Sequence, residues 1–81
     1  MKITISNLGH QVTHDSLSAL FATYGTVHTT TIAARSGRPA GHALLDMPDE
    51  AEGALAIQKL DGCIINGLAV TVEQVSLPLP G

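Results

Sequence analysis

The sequence predicts one α+β domain, two helices packed on one face of a four-stranded antiparallel sheet, in the order β-α-β-β-α-β. Three observations predict it. Apolar and polar residues alternate with a period of two near both ends of the chain, and β-branched residues concentrate in its middle. Two intervening segments repeat apolar residues at helical spacing, and Gly, Pro or Asn-Gly sit at the joins. Eighty-one residues leave room for one such unit and one modest core.

Lys2 to Leu8 opens the chain as a half-buried strand, Ile3 and Ile5 pointing one way and Lys2, Thr4 and Ser6 the other. Thr13 suits a helix N-cap, and Asp15 suits the first turn, where the helix dipole favours negative charge. Leu17, Leu20, Phe21 and Tyr24 then form the apolar stripe of a helix that Gly25 is expected to end. Val27 to Ala34 is rich in β-branched residues and predicts the second strand. The Gly- and Pro-containing run Arg35 to Ala40 predicts a loop, and Gly41 to Met47 a third strand. Pro48 suits the first position of a second helix, with Asp49 and Glu50 in its first turn and Gly53, Ala56, Ile57 and Leu60 on its buried face. Gly62 stops it. Asn66-Gly67 is a strong turn signal, and Leu68 to Val75 alternates again, with Val70 and Val72 inward. Prolines 78 and 80 forbid central pairing in a short tail, so the domain is expected over 1–75 and the tail over 76–81.

This order is the split βαβ, or ferredoxin-like, arrangement. Two right-handed crossovers place strands one and three at the sheet centre and strand two at an edge, with one sheet face left open.

Composition limits the function. Lys2, Arg35, Arg38 and Lys59 are the only lysines and arginines, against seven acidic residues, for a net charge of −3. Phosphate neutralisation supplies most non-specific nucleic-acid affinity, so this balance argues against a strong binder. Cys63 is the only cysteine, which excludes an internal disulfide and a CxxC metal or redox pair. His10 and His14 lie four apart but lack a third ligand nearby, so no metal and no cofactor are expected. The start of the chain lacks the apolar block of a secretory signal, and no stretch approaches transmembrane length, so a cytoplasmic location is expected.

Several stretches, in order and at matching spacing, resemble the RNA recognition motif family over residues 2 to about 75. ITISNL (residues 3–8) resembles the family's hexamer motif, and AGHALLDM (residues 40–47) its octamer motif. DSLSALFATYGTV resembles the first helix and the turn after it, and AIQKLDG followed by INGLAVTV resembles the second helix and last strand. The resemblance implies single-stranded RNA binding on the open sheet face, where aromatics at the second hexamer position and the third and fifth octamer positions stack bases. Here those positions hold Thr4, His42 and Leu44, and Ala40 stands where the octamer usually carries a basic residue. The chain's one Phe and one Tyr both fall on the apolar stripe of the first helix, so no benzene ring remains for the sheet.

Pairing Thr4 with Leu44 by their motif positions sets Lys2 opposite Asp46 and Ser6 opposite His42. Asp46 is then expected to neutralise Lys2 in part, and Glu73 joins the same face by parity. The resemblance also implies that the loop between strands two and three, with Arg35 and Arg38, grips the RNA backbone. The candidate RNA-binding residues are therefore Lys2, Thr4, Ser6, Asn7, Arg35, Arg38, His42 and Leu44. For Arg35 and Arg38, His42 and Leu44 a plainer reading stands beside the functional one: a solvated arginine loop, a solvent-facing histidine, a singly exposed leucine.

Enzymatic readings fail on the residues. The loop GHQVTH lacks the arginine of an acylphosphatase and the CxxC of a metal chaperone, and no catalytic set appears elsewhere. Two functions remain: weak single-stranded RNA binding through the open face and the strand 2–3 loop, or a protein-interaction or homodimerisation module that has lost RNA binding. The second draws on Thr29, Thr30 and Thr31, an uncharged run on an edge strand, which is a template for pairing with another chain. Leu77 and Leu79 folding back over the open face is a further option for the tail, a frayed terminus the plainer one.

Overall fold

The computed structural model describes residues 1–9, 11–35 and 38–75, the side chains of residues 34, 35 and 38–40 excepted. His10 and the tail over 76–81 lie outside the described residues. The elements are β1 (Lys2–Ser6), α1 (His14–Ala22), β2 (Thr29–Arg35), β3 (Arg38–Asp46), α2 (Glu50–Leu60), β4 (Ile64–Ile65), β5 (Leu68–Ala69) and β6 (Thr71–Gln74). Four of the strands form an antiparallel sheet in the order β2-β3-β1-β6, so β1 and β3 are central and β2 is an edge, as the crossover rule requires. No helix among the described residues is long and apolar enough to cross a membrane.

The alternation of β1 is realised in full: Ile3 and Ile5 are completely buried, whereas Lys2 and Ser6 are exposed. They meet Leu17 and Phe21 of α1, Ala56 and Leu60 of α2, and Leu45, Met47, Val70 and Val72 in one core. Thr13 caps α1 reciprocally. Its hydroxyl accepts from the Ser16 amide at 3.1 Å, and its own amide donates to the Ser16 hydroxyl at 3.2 Å. The helix ends at Ala22, short of Gly25, because the Tyr24 amide turns back to the Phe21 carbonyl at 3.0 Å and tightens the last turn. Asp49 caps α2 by accepting from the Glu52 amide at 3.0 Å, which leaves Pro48 ahead of the cap rather than inside the first turn.

Two further boundaries differ from expectation for physical reasons. The expected loop over residues 35–40 is mostly strand: β2 runs to Arg35, β3 starts at Arg38, and these two are direct partners. At Pro39, β3 borders β2 alone because β1 pairs only from His42 to Asp46, and such an edge accommodates a residue without an N–H. The expected last strand divides at Val70. Leu68 and Ala69 pair with Ile64 and Ile65 across the Asn66-Gly67 turn, whose φ values of 51° and 85° suit a tight hairpin, and the chain then joins β1.

Candidate nucleic-acid interface

The open face is a grid set by strand register. Across its middle run Thr31, Leu44, Thr4 and Glu73, each the direct partner of the next. One row towards the C-terminal end of β1, Ser6 lies between His42 and Thr71, and one row the other way Asp46 lies between Thr29 and Lys2. All three pairings expected between β1 and β3 are present. Their side chains face away from the core because their neighbours Ile3, Ile5, Ala43 and Leu45 face into it.

A shallow depression of about 430 Å³ opens on this face, lined by Thr4, Ser6, Thr31, His42, Leu44 and Val75. Four candidates from the sequence thus converge on one surface. Lys2 sits at the margin, its ammonium 3.6 Å from the Asp46 carboxylate, which the N-terminal ammonium of Met1 also approaches to 3.6 Å, so Asp46 opposes the Lys2 charge in part. Asn7 makes a structural contact. Its backbone takes φ = 65°, which Asn tolerates better than most residues, and its side-chain amide donates to the Ala69 carbonyl at 2.8 Å, tying the end of β1 to β5. Arg35 and Arg38 are paired at the end of the β2–β3 hairpin, and their side chains lie outside the described residues. Thr31 and Val75 are contributors that sequence reasoning did not select. Strand parity was enough to find Thr31.

The benzene rings are accounted for. Phe21 is fully buried, and Tyr24 is half-buried against the same core. The described side chains of the face offer five hydroxyls (Thr4, Ser6, Thr29, Thr31, Thr71), one imidazole, aliphatic surface at Ala33, Leu44 and Val75, one cation and two carboxylates. Gly41 keeps β1 and β3 close where they meet the depression. It takes φ = +86°, its carbonyl accepts from the Leu8 amide at 2.8 Å, and a Cβ there would sit 3.3 Å from the Leu8 carbonyl oxygen. His14 lies elsewhere, in the groove between α1 and β2, its Nδ1 3.5 Å from the Asp15 carboxylate.

The family model for the RNA recognition motif matches residues 3–71. This chain belongs to the RNA recognition motif family. Its hexamer and octamer stretches lie side by side on the central strands β1 and β3. Among relatives of this RNA recognition motif, "Putative RNA-binding protein RbpA" of Nostoc sp. is 45% identical over 64 residues, covering 76% of this chain and 63% of that protein. "Putative RNA-binding protein RbpD" of the same organism is 36% identical over 76 residues, covering 91% and 81%. The matched part of the chain spans about three-fifths of the first of these. In three dimensions the chain is similar to the crystal structure of RNA Binding Protein PG1, with a TM-score of 0.90, 28% identity and coverage of 100% and 99%. It is also similar to the SXL-lethal protein/RNA complex, with a TM-score of 0.86, 27% identity and coverage of 91% and 47%.

Proposed function

We propose that this domain binds single-stranded RNA, weakly, through the open sheet face, with Arg35 and Arg38 at the hairpin end holding phosphates and no chemical step involved. The observation that carries the reading is the convergence of Thr4, His42 and Leu44, the three positions where the family stacks bases, on one depression. RNA binding in the relatives' names and in a similar complex supports the ligand class.

The weakness follows from what those positions hold. Stacking on an aromatic ring contributes ~1–3 kcal/mol per base, and here a hydroxyl, an imidazole and an aliphatic group stand in its place. Electrostatics compensate little, because Lys2 already faces Asp46 and the chain carries only four lysines and arginines. The hairpin arginines are then the principal phosphate contacts.

Titrating the protein with short mixed RNAs at several salt concentrations, while mapping amide shifts, tests this. Perturbed amides should cluster at Thr4, Ser6, Thr31, His42 and Leu44, and affinity should fall as salt rises. Each neutralised phosphate on a single strand contributes about 0.7 to the slope of log K against log salt, so the double substitution Arg35→Ala and Arg38→Ala should lower it by roughly 1.4. No binding at low salt, accompanied by a dimer in solution, would refute the RNA reading and favour a protein partner at the β2 edge.

A further inference from the structure

The two carboxylates of the open face differ in circumstance. Asp46 has Lys2 at 3.6 Å. Glu73 is exposed, and its carboxylate has no hydrogen-bond or ion-pair partner among the described residues. Register places Glu73 beside Thr4, and Thr4 beside Leu44, so Glu73 ends, just beyond the depression's lining, the row whose other members Thr31, Leu44 and Thr4 line it.

We infer that Glu73 makes the face selective for guanine, by accepting hydrogen bonds from the edge of a base seated on Leu44 and Thr4. The inference rests on the open face being the RNA site. A base lying there removes water from the carboxylate, and a charged acceptor left without donors is costly, so bases are ranked by the donors their edge presents. Guanine presents N1–H and the N2 amino group side by side, a pair that matches the two carboxylate oxygens as a guanidinium does. Adenine and cytosine each present one amino group beside a ring-nitrogen acceptor. Uracil presents one N–H between two carbonyls, which oppose the second carboxylate oxygen. The Thr4 hydroxyl donates to the Glu73 carbonyl at 3.5 Å and keeps its acceptor capacity, and the Thr31 hydroxyl can accept or donate, so the hydroxyls of the row discriminate little.

The test uses the intact chain and five short RNAs identical except for one central residue: guanine, adenine, cytosine, uracil or inosine. Fluorescence anisotropy at low salt should show guanine bound about tenfold more tightly than uracil, near the lower end of what a bidentate side chain–base pair supplies. Inosine, which lacks the N2 amino group, should fall between them. E73Q keeps the size of the side chain but offers one donor and one acceptor, and should remove the guanine preference; its circular dichroism should match the parent. Equal affinities for all five RNAs, or a guanine preference that survives in E73Q, overturn the inference and leave RNA binding intact. Absence of binding by every RNA overturns the reading of the face itself.

Discussion

Leu44→Phe should raise the affinity of the open face for single-stranded RNA. Leu44 is 38% exposed on the open face, flanked by the small side chains of Thr31 and Thr4 and bordering the 430 Å³ depression, so a ring has room to lie flat on the sheet. The neighbours that face the core, Ala43 and Leu45, stay where they are. Phenylalanine suits a strand, and an exposed substitution of this kind changes folding stability by about 0.5 kcal/mol or less. One stacking platform is worth ~1–3 kcal/mol per base, which converts to roughly 5- to 150-fold in affinity. The assay is a titration with a short single-stranded RNA at fixed low salt, parent and variant side by side, with thermal melting to confirm the fold. Unchanged affinity in a folded Leu44→Phe protein would refute the reasoning, because the lack of flat surface would then not be what limits binding.

Two further outcomes follow from the geometry. Lys2→Ala should leave RNA affinity within a few-fold of the parent, because its charge is opposed by Asp46, and should lower stability by the ~0–1 kcal/mol typical of an exposed ion pair; a large loss of affinity in the titration would show that Lys2 reaches phosphate instead. Gly41→Ala should destabilise the fold by about 1–3 kcal/mol, since it forces a Cβ into a left-handed backbone 3.3 Å from the Leu8 carbonyl oxygen, and in a domain this small each kcal/mol lowers the melting temperature by about 4–8 °C.

The register of the open face was legible because side-chain parity and motif position fix it together. Once Thr4 is opposite Leu44, Lys2 must meet Asp46 and Ser6 must meet His42, and both do. Periodicity has a blind spot, however, and Val70 shows it. The alternation of Val70 and Val72 continues smoothly through a change of partner, since it reports which way a side chain faces and not which strand lies beside it. Pro39 misled in a related way. A proline argues against a central strand, but whether a strand is central at that height depends on where β1 stops pairing. The role of Asn7 was hidden for a third reason: its partner is a backbone carbonyl 62 residues away, on which local sequence carries no information.

Aromatic content decides how stability and affinity are divided in this chain. A domain of 81 residues has a small core, and its one phenylalanine is spent there, fully buried among Leu17, Ile3, Ile5 and Leu45. Truncating a buried Phe costs ~3–5 kcal/mol, a large part of what so small a domain has. Phe21 therefore cannot be exchanged for a ring on the sheet without unfolding the scaffold that presents it. The side chains at Thr4, His42 and Leu44 lie on the opposite face of the sheet and contribute little to that core. Changes there and changes in the core should thus add independently, so ligand affinity can be raised or lowered while stability stays nearly constant.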